Sequence, residues 1–496
     1  MTTSSTLNSL RRIPALLAVD RGSPDPLHQQ IYESYRTRIL CGNLRPGELI
    51  PSSRELARDL EVSRMPVLNA YSQLLAEGYF ESRVGSGTFV ASSLPRRPNS
   101  HPAEVAVGTR SEVRVISAHA SCLPKYERPV WAESLGPFQV GQPALEEFPL
   151  RIWSKLVSRY ARNMKVSGLQ YGNPLGSYEL REAIATYLRT SRSVRCEPQQ
   201  IMIVSGSQQA LDISVRVLLD ADAQVWVEEP GYWLVHHVLK AAGCRIVPVP
   251  VDKEGLMVAI GTKLCRNARA AFVAPSHQYP LGVTMNVSRR LQLLEWAEKA
   301  RAWIIEDDYD SEFRYDALPI ASLQGLDRSA RVIYVGTFSK VLFPSLRLGY
   351  IVVPRDLLER FAAVRQSMDL CPADATQAIV AEFIREGHFA RHIRKMRTIY
   401  ATRRRVLVDE IQRQLGDLCR IVGAEAGMHV TLLMRSDGKR DQEIAVKATE
   451  RKLWLSPLSL SYIGTPSQQG LVLGFGNTRE EQIPGAVRVL KRILTA

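Results

Sequence analysis

Between residues 201 and 335 the chain repeats one pattern: a short apolar run, a polar turn, then in most cases a helical segment. The runs are Ile201-Met202-Ile203-Val204, Val225-Trp226-Val227, Arg245-Ile246-Val247-Pro248-Val249, Ala271-Phe272-Val273, Trp303-Ile304-Ile305 and Val332-Ile333-Tyr334-Val335. Continuous apolar runs suit strands buried on both faces, and intervening helices supply the crossovers that parallel strands require. The pattern predicts a large α/β domain built on a largely parallel sheet with helices on both faces. In such sheets ligands sit at the carboxyl ends of strands.

The informative polar residues fall at those ends. Ser205-Gly206-Ser207-Gln208 follows the first run and opens a helix, where backbone N–H groups can approach a phosphate. Glu229-Pro230-Gly231-Tyr232 follows the second and offers an aromatic ring, to a planar ligand or to the core. Glu306-Asp307-Asp308-Tyr309 places a carboxylate where it can hold a protonated pyridine nitrogen and a phenol where it can bond a ring oxygen. Lys340, in Gly336-Thr337-Phe338-Ser339-Lys340 with Arg347 seven residues on, suits a phosphorylated aldehyde cofactor. Its amine would form a Schiff base while Thr337, Ser339 and Arg347 hold the phosphate. The acidic strand end also suits Mg²⁺, but there is no P-loop and no convincing ligand set, so no metal is expected.

At 496 residues the chain is too long for one core. Its first ninety residues are of another kind. Leu27, Ile31, Tyr35, Ile39 and Leu40 recur at helical spacing and stop at Gly42. Ser52, with Glu55 three residues on, predicts a capping box, and Ser63 caps a third helix that tolerates Pro66 in its first turn. Phe80 to Val90, with Gly85-Ser86-Gly87 at its centre, reads as a hairpin tip, so the unit is a winged helix-turn-helix. Arg54 and Arg64 open helices two and three, where they can meet phosphates, Arg64 can read a guanine edge, or both can pair with Glu55 or Glu61. The expected DNA contacts are Arg54, Ser63, Arg64, Met65, Pro66, Tyr71 and the wing tip Gly85-Ser86-Gly87.

Pro26-Leu27, Gly42 to Gly47, Pro51 to Ala57, Val62-Ser63-Arg64, Ala70-Tyr71, Glu77-Gly78-Tyr79 and Gly85 to Val90 resemble the GntR winged-helix repressors. In that family a hydroxyl residue usually follows the arginine, where this chain has Met65, so operator preference differs. Residues 93–132, with Pro95, Pro98 and Pro102 among Ser, Arg and Asn, read as a semi-extended linker, and residues 1–24 as a flexible leader. The wing module then spans 25–92 and the large domain 133–496.

The strand-end segments, in this order, resemble fold type I pyridoxal-phosphate aminotransferases. The resemblance implies that Lys340 forms the internal Schiff base, Asp307 pairs with the pyridine nitrogen, Tyr309 contacts the ring oxygen and Tyr232 stacks on the ring. It implies that Ser207, Gln208, Ser339 and Arg347 bind the phosphate, and that Tyr171 reaches the phosphate of a neighbouring subunit in a homodimer. The union of both parts is identified as the MocR subfamily of transcription regulators, of which Pro275-Ser276-His277-Gln278-Tyr279-Pro280-Leu281-Gly282 is typical. Tyr279 replaces the asparagine that usually tunes the ring, and Val472 stands where an arginine usually grips a substrate carboxylate.

The expected function is a pyridoxal-phosphate-dependent regulator that binds double-stranded operator DNA. It senses a B6 vitamer, amine or amino acid through Lys340, without steady turnover. An aminotransferase with a DNA tether is the rival reading. The seven scattered cysteines point to a reducing cytoplasm, beside the nucleoid, and no stretch is apolar for long enough to span a bilayer. The net charge of +14 is uneven. Arg385 to Arg405 holds eight basic residues and one acid, read either as a solvated helix face or as a second DNA-facing strip.

Overall fold

The computed structural model describes residues 18–94, 115–125, 136–315, 320–435 and 440–495. The chain divides into two compact units, Met1–Val115 and Ile116–Ala496. Most of the expected leader and linker lies outside the described residues.

In the first unit α1 (Leu27–Leu40), α2 (Ser53–Asp59) and α3 (Arg64–Ala76) pack around one core. The helical stripe of α1 buries Ile31, Tyr32, Tyr35 and Ile39. Ser52 Oγ accepts from Glu55 N at 3.2 Å, satisfying one N–H at the start of α2. Glu61, at φ 52°, turns the chain between α2 and α3. Ser63 holds the N-cap position of α3, but its side chain makes no capping bond. Strands β1 (Leu49–Ile50), β2 (Phe80–Arg83) and β3 (Gly87–Val90) form an antiparallel sheet in the order β1-β3-β2. The wing turn carries Gly85 and Gly87 at φ 74° and 112°, values open to glycine. Tyr71 is not a surface residue. It is 5% exposed, its ring packs edge-on against Tyr35 and Phe80, and its hydroxyl donates to Pro51 O at 2.9 Å. A side chain so placed serves the core and cannot touch DNA.

In the second unit the expected runs become β4 (Ile201–Val204), β5 (Gln224–Glu229), β6 (Arg245–Asp252), β8 (Ala270–Val273), β9 (Trp303–Asp308) and β10 (Val332–Thr337). Two short strands, β7 (Gly255–Leu256) and β11 (Gly349–Val352), complete an eight-stranded sheet in the order β4-β11-β10-β9-β8-β5-β6-β7. From β10 to β6 it is parallel, whereas β11 runs antiparallel to both β10 and β4. A further antiparallel sheet, β12 (Cys419–Val422), β13 (His429–Met434), β14 (Ser456–Pro457) and β15 (Gly470–Gly474), has the order β12-β13-β15-β14.

The basic stretch is mostly structural fastening. Arg385 pairs with Glu182, Lys395 with Glu147, and the buried Arg403 with Glu146. Arg397 and Arg404 donate to the carbonyls of Glu312 and Ala424. Arg397, Arg403 and Arg404 are thereby taken up within the unit, while Arg391, Arg394 and Arg405 stay exposed on the same helix.

Tyr71→Phe removes the bond to Pro51 O and the one shared with the Tyr35 hydroxyl, so the first unit should lose about 1–2 kcal/mol in denaturant melts of the full chain. Operator affinity should stay as in the parent; a selective loss of DNA binding would return Tyr71 to the interface.

Candidate cofactor site and DNA-binding face

Strand alternation decides which carboxylate of Glu306-Asp307-Asp308 faces the pocket. Glu306 and Asp308 share one side of β9. Glu306 accepts from Leu323 N and Gln324 N, both at 2.8 Å, and Asp308 is locked to Arg192 at 2.8 Å and to the Tyr334 hydroxyl at 2.6 Å. Asp307 and Ile305 point the other way and line a pocket with Val227, Glu228, Tyr232 and His236. Asp307 Oδ1 is buried without a hydrogen-bond partner, which is costly unless a ligand supplies one. Burial, then the neighbouring Asp308 and Asp310, push its carboxyl up to about 7, opposed by Lys340.

Lys340 follows the end of β10. Its Nζ donates to Gly141 O at 2.9 Å. Burial lowers its pKa, and Asp310 and Asp307 work against that shift. Burial that favours the neutral amine suits a lysine to attack on an aldehyde. Gly141, at φ 70°, holds a backbone conformation that favours glycine, and a Cβ there would lie 2.5 Å from the amine and displace it.

The helix Ser207–Leu218 starts at Gly206, whose φ of 96° and ψ of 173° exclude side chains. Arg347 lies across this start: its Nη2 donates to Ser205 O at 2.8 Å, and its guanidinium would be 3.4 Å from a Cβ on Gly206. A helix N-terminus, a guanidinium and the nearby hydroxyls of Ser207, Thr337 and Ser339 form an anion cradle. Thr337 Oγ1 is already engaged, accepting from Ser339 N at 3.2 Å. Gln208 donates to Leu234 O at 3.4 Å and keeps a buried, unpartnered Oε1.

Tyr232 and Tyr279 meet edge-on at 5.7 Å between centroids. Burial raises both phenols, Tyr279 to about 12. The Tyr309 hydroxyl lies 3.1 Å from His277 Nδ1. Of these side chains, Tyr232 and Asp307 line the pocket at the carboxyl ends of β5, β8 and β9, and the charge of Lys340 is felt at Asp307. Tyr171 does not join them: it is 85% exposed. The donor set fits pyridoxal phosphate, with an unpartnered acid for a pyridine nitrogen, an amine for an aldehyde and a cradle for a phosphate.

Sequence reasoning had assigned no role to His277, Asp310, Glu228 or Gly141. Glu228 is pushed up to about 8 by burial, and its Oε1 has no partner. His277 was visible only as part of a family segment, and Gly141 contributes a main-chain carbonyl, which leaves no side-chain signal.

In the first unit Arg54, Ser63 and Arg64 are exposed at the starts of α2 and α3, and Met65 is 61% exposed. Arg64 Nε donates to Ser53 Oγ at 3.2 Å. Pro66 is half-buried in the first turn of α3, and Gly85, Ser86 and Gly87 are exposed at the wing tip.

Residues 27–90 match the family of bacterial regulatory proteins, gntR family, and residues 137–473 match aminotransferase class I and II. The probable rhizopine catabolism regulatory protein MocR of Rhizobium meliloti is 40% identical over 97% of this chain and 96% of its own length. The HTH-type pyridoxine biosynthesis transcriptional regulator PdxR of Corynebacterium glutamicum is 31% identical over 94% and 96%. Among solved structures, kynurenine aminotransferase of Pyrococcus horikoshii, in complex with PMP, matches with a TM-score of 0.70 and 28% identity, over 77% of this chain and 96% of that one. The chain therefore belongs to the MocR-like GntR-type transcription regulators, which bind DNA through the winged helix and carry a pyridoxal-phosphate aminotransferase fold.

Proposed function

We propose that this regulator uses its aminotransferase-fold unit as a sensor, in which Lys340 reports the presence of pyridoxal phosphate or of a small amine that displaces it. The observation that carries this reading is Val472. It is fully buried in β15, in register with Thr431 on one side and Ser456 on the other. A valine there gives no bidentate grip on an amino-acid carboxylate, so a substrate would be held poorly for repeated turnover. The remaining machinery is that of binding and reporting rather than of an efficient enzyme. Within it, a half-reaction with one amine is compatible with sensing.

Bound cofactor supplies an aldehyde for Lys340 and an electron-poor ring. The chain's own residues do the rest. Asp307 holds a proton at the ring nitrogen, Tyr232 covers a ring face and Tyr309 addresses the ring oxygen. Arg347, Ser207, Gln208, Ser339 and Thr337 hold the phosphate, while Tyr279 closes the pocket wall. Tyr171, exposed in one chain, is free to complete the phosphate site of a second copy, so the working unit is a homodimer. It acts in the cytoplasm, with Arg54, Ser63, Arg64, Met65, Pro66 and the wing tip on DNA. Ligands that favour one arrangement of the dimer would change operator affinity. The relatives named for pyridoxine biosynthesis and rhizopine catabolism favour control of B6 or amine genes.

Borohydride reduction of the loaded protein should fix a pyridoxyl group on the Lys340 peptide. Lys340→Ala should abolish the fixed label, and no sustained exchange between amino donor and keto acid should occur. Labelling of another lysine, or steady turnover, would overturn the reading.

Cofactor-free protein tests Asp307 separately. Its folded pKa of about 7 lies above the unfolded value of about 4, so the folded state holds a proton there that the unfolded state lacks. Stability from this group is therefore full below about pH 4 and is lost as pH rises to about 7. Asp307→Asn should remove that decline in denaturant titrations; parallel pH curves would contradict it.

On DNA, Arg64→Ala should cost about 1–3 kcal/mol on the operator and relax discrimination. Arg54→Ala should weaken specific and random DNA alike and reduce the salt slope by about 1. Equal losses on both DNAs for both variants would undo the assignment.

A further inference from the structure

A buried polar cluster joins the cofactor pocket to the C-terminal sheet. His277 Nδ1 lies 3.0 Å from both Asp310 carboxylate oxygens and 3.1 Å from the Tyr309 hydroxyl. The side chains of His277 and Asp310 are each 1% exposed. Met428 N donates to Asp310 Oδ2 at 3.3 Å. Gly427 presses on the pair so closely that a Cβ would fall 1.9 Å from His277 Cε1 and 2.5 Å from Asp310 Oδ2. His429 stacks obliquely on His277, 4.7 Å between ring centroids, and its Nε2 donates to Pro280 O at 3.1 Å.

His277, Asp310 and His429 also have the composition of a metal site, with ligand atoms within 4.8 Å of one another. The hydrogen bonds favour a different role. His429 Nε2 faces a carbonyl and must carry a hydrogen, and His277 Nδ1 is committed to a carboxylate.

An ionised carboxylate only accepts, so the hydrogen on the His277 ring belongs on Nδ1. The other nitrogen, Nε2, is buried without a partner and makes no competing claim on it. Tyr309 is near the same Nδ1–H and can only accept from it. Its own hydroxyl hydrogen must then point elsewhere, toward the pocket it shares with Lys340 and Asp307. The groups around the phenol are Asp310, Asp307, Tyr279 and Glu228, and His277 is faced by His429.

We propose that Asp310 and His277 are positioning residues that fix Tyr309 as a hydrogen-bond donor toward the ring oxygen of the cofactor. This rests on the reading that Tyr309 addresses that oxygen. A phenol that donates there draws on the oxygen's charge and loosens the proton shared with the lysine nitrogen. Removing the donor therefore raises the pH at which the proton leaves.

The test is a pH titration of the cofactor's visible absorption in the full-length, loaded protein. Tyr309→Phe should raise the midpoint by about one pH unit. Asp310→Asn should shift it the same way: without the carboxylate the ring hydrogen is released to Nε2, and the bare Nδ1 then captures the phenol's hydrogen, while the amide oxygen at position 310 still accepts from Met428 N. A midpoint unchanged in Asp310→Asn beside a shifted Tyr309→Phe would leave the pair purely structural and overturn the proposal. An unmoved Tyr309→Phe would instead remove the reading of Tyr309 beneath it, and the proposal with it. Should Asp310→Asn fail to fold, nitrogen NMR of histidine-labelled parent protein, with His277→Gln to assign the signal, decides the matter. A protonated Nδ1 with a bare Nε2 supports the proposal, and the reverse tautomer refutes it.

Discussion

The pocket is organised by one unpaid electrostatic cost: Asp307 carries a buried carboxylate oxygen with nothing to bond. Of its neighbours on β9, Glu306 is held by two backbone N–H groups, and Asp308 is held through Oδ2 by Arg192 and Tyr334 while its Oδ1 has no partner. The period-2 alternation of a strand is what separates these roles. A fold that turns Asp307 into the pocket with an orphaned oxygen, at a strand end beside a lysine, is preorganised for a cation on a ligand. A pyridinium nitrogen meets that need, and the amine of Lys340 and the cradle at Gly206 and Arg347 lie along the same sheet edge.

On the proposed reading, the same sheet edge explains how a sensor can retain so much of an enzyme. Holding a cofactor needs charge complementarity and a lysine. Turnover needs a further grip on the substrate, and Val472 sits in the middle of a packed antiparallel sheet instead. On that reading the unit contributes differential affinity for ligand states rather than a lowered barrier.

Much of this was legible in the sequence. The runs at Ile201–Val204 and Val332–Thr337 announced buried strands because they are apolar at every position or nearly so, and α1 appeared at its full length from spacing alone. Asp307, Lys340 and Arg347 were visible because their chemistry is rare at strand ends. Other features were hidden for physical reasons. β11 is four residues long and antiparallel, without a helix to announce it, and β12 to β15 are held by long-range pairing. Tyr71 carries the polarity of a contact residue, yet its hydroxyl is satisfied inside the core. The basic run near Arg403 left two readings open, a solvated face or a surface for DNA, because its carbonyl and carboxylate partners come from distant segments. The His277–Asp310 pair is 33 residues apart in sequence and had no local signature.

The central claim is that Lys340 couples the cofactor to DNA binding. The direct measurement is operator affinity at fixed salt, titrated with pyridoxal phosphate, for the parent protein and for Lys340→Ala. Parent affinity should change as the cofactor saturates, while Lys340→Ala should bind DNA with an affinity indifferent to it. An equal response in both proteins, or none in the parent, would contradict the account.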